Sequence, residues 1–432
     1  MTKQGAASEA PTASRGSRPY LVLGALVAGL LAGMAAQQAG DGIREPLIHV
    51  ASYVGGIWLD ALKMTVIPLI VALLVVGIAG AAEAAKAGRI AGRSILWFVI
   101  VCTASAIFGA VMMVVLTSVF PLPEAAGQAL RTGLSAIDAT ASAAPIPNVS
   151  DFFRGIVPAN VVAAANNGDV LPLVGFTVLF ALALARIAEA KRRSVVGFFD
   201  GTAEALLVVI SWVLWVAPLG VFALGFALGA SAGGAAFAGL AHYIVLVSLI
   251  GVLVTLWAYP LALLGGRPLG AFVRAMIAPQ SVAISTRSSL ASLPAMLDAA
   301  RVLDVKPGVA DVTLPMSVAL FRATGPAMNV AVAFYVAHWL GFHPGLGAAI
   351  AATAVASVIS YGAVSLPGEV SFISSIAPIA MALGVPIAPL ALLVAVEMVP
   401  DIFRTLGNVT LDVAVTTVVD RGTGAEPAVR QA

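Results

Sequence analysis

Charge is what this sequence has least of. Only 10% of its 432 residues are Asp, Glu, Lys or Arg, against about 25% in soluble domains, and 60% are hydrophobic. That balance excludes an ordinary soluble domain. The net charge of +2 is too small to point to a nucleic-acid partner. A single cysteine, Cys102, excludes an intrachain disulfide and offers no metal-ligand spacing. The four histidines, His49, His242, His338 and His343, make no HExxH-type arrangement. The last two flank an expected helix end and read as interfacial residues rather than ligands. No Ser–His or paired-Asp arrangement suggests an intramembrane enzyme, and Ser288 has no base near it in sequence. The chain has long apolar runs instead. Repeated stretches of more than about 18 apolar residues make it an all-α polytopic membrane protein.

The polar segment 1–19, with Lys3, Arg15 and Arg18, reads as a disordered cytoplasmic tail. The apolar run from Tyr20 reads as the first membrane helix rather than a cleaved signal peptide. Spans are expected near residues 20–36, 50–82, 94–120, 171–187, 203–228 and 236–264. The second is long enough to tilt or to extend beyond the bilayer. Residues 121–170 read as a Pro-, Ala- and Ser-rich connection. Two later segments do not fit single spans. Residues 272–296 are interrupted by Ser285-Thr286-Arg287-Ser288-Ser289 and Pro294, and residues 345–383 break at Ser365-Leu366-Pro367-Gly368-Glu369. About 20 residues suffice to cross, so each reads as a re-entrant helical hairpin. Irregular backbone at such tips survives only when buried in protein or lining a cavity. Between them, a span over 309–340 is broken by Thr324-Gly325-Pro326.

Eight transmembrane helices plus two hairpins put Arg15, Arg18, Lys86, Arg89, Arg93, Lys191 to Arg193, Arg267, Arg274, Arg301, Lys306 and Arg421 on one side. Both termini are then cytoplasmic, in a cytoplasmic (inner) membrane. The order hairpin, broken span, hairpin, polar span suggests inverted repeats, as in secondary transporters.

The polar span carries Glu397, Asp401, Arg404, Asn408 and Asp412, spaced four, three, four and four apart. Such intervals align five polar groups on one helical stripe. A charged side chain at the bilayer centre costs about 2.5–3.5 kcal/mol on insertion scales, so the stripe should face a protein or water-filled interior. It reads as a substrate or ion pathway; the alternative is an Asp–Arg pair that only fixes helix packing.

These residues, with others in order, resemble the dicarboxylate/amino acid:cation symporters, or glutamate transporter homologues. The resemblance covers roughly residues 20–420. It runs through Leu62-Lys63-Met64 with Pro68, Ile156-Val157-Pro158, Asn166-Asn167-Gly168-Asp169-Val170-Leu171-Pro172 and Ala217-Pro218-Leu219-Gly220. It continues through Thr286-Arg287-Ser288-Ser289, Pro367-Gly368 and the stripe itself. The resemblance implies a homotrimer moving a small anionic substrate by an elevator mechanism. Segments 20–89 and 171–228 would form the trimerisation scaffold, 90–120 and 236–420 the mobile transport unit. The loop 121–170 would be extracytoplasmic and the tail 421–432 cytoplasmic. Arg404 would then hold a substrate side-chain carboxylate, Asp401 and Asn408 its amino and main-chain carboxylate groups, with Thr405 beside them. Ser288, Ser289, Pro367 and Gly368 would close the site from the hairpin tips, and Arg287 would pair with Asp401, the alternative being that it binds substrate. Tip capping is an equally good account of Ser288 and Ser289.

One stretch departs from the family. Where its members carry Asn-Met-Asp-Gly-Thr for sodium, this chain has Phe321-Arg322-Ala323-Thr324-Gly325. Hard cations need clustered oxygen ligands, so no metal site or other cofactor is expected there. Arg322 would supply a fixed counter-charge to Asp412, Glu369 or the substrate. Protons are the candidate coupling ion, with Glu369 and Glu397 as carriers, because burial favours a neutral carboxyl group. The expected function is sodium-independent transport of aspartate or glutamate, proton-coupled or exchanging. The alternatives are a carrier of C4-dicarboxylates or other organic anions and a membrane receptor that senses such a substrate.

Overall fold

The architecture is that of a computed structural model, which describes residues 19–38, 40–86, 88–135, 157–361 and 368–423. Of the tail expected at 1–19 only Pro19 is described, as the first residue of a helix; the rest of that tail, the tip residue Pro367 and residues from 424 onward lie outside these. Among the described residues there is no strand. The first helices are α1 (Pro19–Ala36), α2 (Asp41–Lys86) and α3 (Arg89–Val119). At 1.5 Å per residue the 46 residues of α2 extend about 69 Å, more than twice the hydrocarbon core of a bilayer. Two short helices, α4 (Glu124–Ser135) and α5 (Val161–Asn167), form inside the connection expected over 121–170. Asn160 caps α5, its side-chain oxygen accepting from the backbone N–H groups of Val162 and Ala163.

The next elements are α6 (Val170–Leu184), α7 (Glu189–Trp215), α8 (Ala217–Ala232), α9 (Ala235–Thr255) and α10 (Ala258–Leu264). The single span expected over 203–228 is therefore two helices divided at Val216. Pro218 stands in the first turn of α8, where its missing N–H and fixed φ suit a helix start. The remaining helices are α11 (Leu269–Thr286), α12 (Ser289–Val302), α13 (Pro307–Leu320), α14 (Thr324–Leu340), α15 (Leu346–Ile359), α16 (Gly368–Leu383), α17 (Ala388–Leu393) and α18 (Met398–Gly422). Among the described residues, five helical stretches, including α2, α3, α7 and α18, are long and apolar enough to cross a membrane.

Three breaks fall where only backbone chemistry explains them. In 309–340 the chain opens at Phe321–Ala323, three residues before the expected Thr324-Gly325-Pro326. Those residues instead begin α14, because a proline in the first helical turn lacks only an N–H that has no intrahelical partner. Phe321 takes an extended conformation (φ −104°, ψ 97°). The apolar run before the polar stripe is likewise interrupted between α17 and α18. Pro400 cannot donate to the carbonyl four residues back, so the regular helix restarts at Met398 and Glu397 sits at its N-cap. Between α11 and α12, Arg287 adopts the left-handed conformation (φ 51°) and its N–H returns to the Ala283 carbonyl at 2.8 Å.

Packing follows two groupings. Helices α6, α7 and α8 pack on α2, and α1 packs chiefly on α8. The α1–α8 seam is backbone on backbone: a Cβ on Gly29 would come within 2.3 Å of the Phe222 carbonyl oxygen, and one on Gly33 within 2.2 Å of that of Phe226. The second grouping surrounds α18, which packs on α9 to α14 and α3. The paired helices α11 and α12 pack on each other, as do α15 and α16.

Candidate functional site

The N-terminal half of α18 carries the stripe into the second grouping. Glu397, Asp401, Thr405, Asn408 and Asp412 are all buried, and the Arg404 side chain is only 12% exposed. Burial leaves the charges to be satisfied by one another. Arg404 Nη1 lies 2.5 Å from Glu397 Oε1 and donates to Asp401 Oδ1 at 3.2 Å. Tyr243, from α9, donates its hydroxyl hydrogen to Glu397 Oε2 at 2.8 Å. Arg287 reaches Asp401 Oδ2 at 3.8 Å from the α11–α12 turn, so the two oxygens of Asp401 face different arginines. Arg404 Nε and Nη2 are buried with no hydrogen-bond partner. These two atoms form one edge of the planar guanidinium, the edge suited to a bidentate carboxylate.

Asn408 holds the broken span. Its Oδ1 accepts from the Thr324 backbone N–H at 3.0 Å and from the Thr324 hydroxyl at 2.6 Å. The same hydroxyl lies 2.7 Å from the Arg404 carbonyl. Gly407 permits this approach, since a Cβ there would stand 2.3 Å from Thr324 Cγ2. The start of α14 is thereby fixed against the middle of α18.

A narrow pocket opens beside these contacts. Two guanidinium groups line it, Arg322 and Arg404, and two carboxamides, Asn329 and Asn408. Three hydroxyls complete its polar wall, Ser360, Ser371 and Ser375, with Gly325 and Phe372 filling the remainder. Its free volume of about 20 Å³ is that of roughly one water molecule. The first turns of α14 and α16 contribute Gly325 and Ser371, and helix N-termini favour anions. No carboxylate lines the pocket among the described residues.

The pocket brings together Arg404, Asn408 and Arg322 from the residues expected at the site. Asp401, Glu397 and Thr405 are buried close by on the same helix but do not line it. Ser288 caps α12, its Oγ accepting from the Ala291 N–H at 3.2 Å, and neither Ser288 nor Ser289 reaches the pocket. Gly368 begins α16; the side chain of Glu369, like Pro367, lies outside what is described. Asn329, the serines of α16 and Tyr243 are additions. An asparagine inside an apolar helix, and Ser371 and Ser375 one helical turn apart, were the sequence signals for them.

Asp412 is fully buried, and neither of its oxygens accepts a hydrogen bond. Ser317 and Arg322 are its polar neighbours. Phe321 stacks on Phe98 with ring centroids 4.6 Å apart. Among the described residues no group of three His, Cys, Asp or Glu side chains could hold a metal ion.

A model of the sodium:dicarboxylate symporter family matches residues 19–422. The chain is 29% identical over 381 residues to a proton/sodium-glutamate symport protein of Bacillus subtilis, covering 86% of each chain. It is 28% identical over 402 residues to the proton/glutamate-aspartate symporter of Escherichia coli, covering 91% of this chain and 90% of that one. It is also 28% identical over 429 residues to a C4-dicarboxylate transport protein of Rhizobium leguminosarum, covering 96% and 92%. A match over nearly the whole chain, together with several apolar helices and a buried polar stripe, makes this an integral membrane protein and a secondary transporter rather than an enzyme: it belongs to the sodium:dicarboxylate symporter family.

Proposed function

We propose that this protein carries a small acidic solute, an acidic amino acid or a dicarboxylate, across the cytoplasmic membrane by an elevator mechanism that does not use sodium. The observation that carries the reading is the unpartnered edge of Arg404. Two buried donors without an acceptor are costly, and a carboxylate satisfies both at once. The relatives' names, glutamate and C4-dicarboxylate symporters, agree with such a ligand.

The packing supports a two-part mechanism. The first grouping, α1, α2 and α6 to α8, would be the scaffold of a homotrimer, and the helices around α18 the moving unit. Trimer contacts near Pro218 would come from Leu219 and Phe222, which are 58% and 37% exposed, and not from the fully buried Val221. The segments 269–302 and 346–383 would be the two re-entrant hairpins, completing eight crossings with both termini cytoplasmic.

The donor set beside Asp412 does not suit sodium. Phe321 presents a ring stacked on another ring, and Arg322 supplies a cation that cannot dissociate. A fixed charge preorganises the site but transmits no sodium gradient. Coupling would pass to protons, with Glu369 and Glu397 as carriers. Uptake of labelled aspartate and succinate into proteoliposomes, with sodium, pH and internal solute varied independently, tests this reading. Accumulation should persist in choline or potassium and rise with an inward proton gradient. Steep sodium dependence, or an Arg322→Met variant indistinguishable from wild type, would refute the coupling scheme. Absence of both uptake and counterflow would refute transport.

A further inference from the structure

We propose that His242 and Tyr335 form a proton-operated clamp on the linker between α3 and α4, closed when His242 is an imidazolium and loosened when it is neutral. The clamp itself is independent of the transport reading; only its effect on transport rests on that reading.

The sequence suits the linker to such a hold. Pro121 and Pro123 have no N–H, so α3 cannot continue through them and the Leu122 N–H is the single backbone donor of residues 121–123. Phe120 ends α3, and its carbonyl has no partner within the helix. Histidines of two other helices meet both groups. His242 of α9 reaches the Phe120 carbonyl with Nε2 at 2.9 Å, and His338 of α14 accepts from the Leu122 N–H with Nε2 at 3.4 Å.

Counting hydrogens gives the state of His242. A carbonyl only accepts, so the contact with Phe120 requires a hydrogen on Nε2. The Tyr335 hydroxyl donates to the Gly239 carbonyl at 2.9 Å and also lies 3.0 Å from His242 Nδ1. With its one hydrogen on the carbonyl, that last contact requires a hydrogen on Nδ1 as well. Only an imidazolium makes all three contacts at once, and a neutral ring gives up at least one. A cation at this point also meets the negative end of the α3 dipole.

The ionisable groups on the elements packed around His242 do not supply a competing partner. Among the described residues α4 carries Glu124 and Arg131, α14 carries His338, and His343 follows it. Glu397 of α18 is held by the Tyr243 hydroxyl, and α8 has no ionisable side chain. Those of α3 (Arg89, Arg93 and Cys102) lie about five turns away or more. His338 accepts through Nε2 and so carries no hydrogen there; a proton on it would break its bond and would face His242, His343 and Arg131. One histidine of the pair holds the linker with a proton, the other without.

The helix that follows the linker gives the clamp its effect. α4 packs on α8 of the first grouping and on α9 and α14 of the second. With the linker clamped, α4 is a strap across both groupings and slows any displacement between them.

The test is hydrogen exchange at the Leu122 amide of the full chain in lipid nanodiscs, resolved by fragmentation mass spectrometry and divided by the intrinsic rate at each pH. Wild type should be protected at least about threefold more at about pH 5.5 than at about pH 8, on either side of the ordinary imidazole value of about 6.5. His242→Gln and Tyr335→Phe should lose that difference, and His343→Gln should keep it. Equal protection of wild type at the two pH values, or weaker protection in acid, overturns the clamp, and this comparison needs no variant. Counterflow of labelled aspartate or succinate, with the same pH inside and outside proteoliposomes, reads the brake. His242→Gln should exceed wild type about three- to tenfold at the acid pH, as expected for one lost charge-assisted hydrogen bond, and match it at the alkaline one. A constant ratio at both values overturns the brake. Absence of counterflow from every protein overturns the transport reading, and hydrogen exchange still decides the clamp.

Discussion

Glu397→Gln should make the empty protein less stable and its grip on substrate stronger. The Arg404–Glu397 contact is short, at 2.5 Å, and its side chains are 12% and 2% exposed, so water screens it little. Removing one partner of a buried ion pair costs about 3–5 kcal/mol. Glutamine keeps the shape and can still accept from the Tyr243 hydroxyl, and Asp401 remains at 3.2 Å to offset the guanidinium. The expected loss therefore lies nearer 2–3 kcal/mol, still an effect larger than most surface substitutions produce. The same change frees Arg404 from one competitor. A substrate carboxylate then meets a less neutralised guanidinium and should bind about five- to thirty-fold more tightly, equivalent to roughly 1–2 kcal/mol. Thermal unfolding followed by intrinsic fluorescence, with and without saturating substrate, reads both effects. The empty variant should unfold several degrees lower than wild type and be raised further by ligand. A variant as stable as wild type with an unchanged ligand shift would mean that the contact is neither a stabilising pair nor a competitor.

Asn408→Leu should destabilise more than Thr324→Val, by about 2–3 against 1–2 kcal/mol, because the first strands the buried Thr324 N–H, whereas the second leaves that N–H bonded, and the Thr324 hydroxyl has the Arg404 carbonyl as a second acceptor; unfolding temperatures in the reverse order would refute that role for the amide. Gly29→Val should abolish folded protein in detergent extracts, since even its Cβ would meet the Phe222 carbonyl, whereas Gly24→Ala, with nothing within 4 Å, should be silent in size-exclusion chromatography. Asp420→Asn should lower stability by about 1–3 kcal/mol, because the mostly buried carboxylate lies 2.6 Å from Arg267 and also accepts from the Lys306 backbone N–H; an unchanged melting curve would refute it.

The polar stripe was legible because five polar residues at helical intervals have few explanations inside an apolar run. The break in 309–340 was misplaced for an equally definite reason. Glycine and proline mark breaks, but Pro326 occupies a first turn, where a proline costs little, and the residue that leaves the helix is Phe321, which carries no local signal. The same ambiguity fused residues 203–228 into one span across Pro218. Tyr243 stood 154 residues from Glu397, and no spacing rule connects them. The tip serines read as site residues and as caps alike, and Ser288 spends its oxygen on the Ala291 N–H. Periodicity tells which face of a helix is polar; it does not tell which partner that face meets.

The glycine seam between α1 and α8 has a mechanical consequence. Helices that meet through side chains can shear, because flexible groups between them adopt new rotamers as the axes shift. Here carbonyl oxygens of one helix rest directly over α-carbons of the other at Gly29 and Gly33, and a Cβ on Gly229 would in turn stand 2.3 Å from the Leu30 carbonyl. Sliding either helix by one residue would drive a neighbouring side chain into backbone. The pair is keyed in one register, like a bolt in its slot, and behaves as a single stiff strut. Any large displacement within this protein must be accommodated along some other contact.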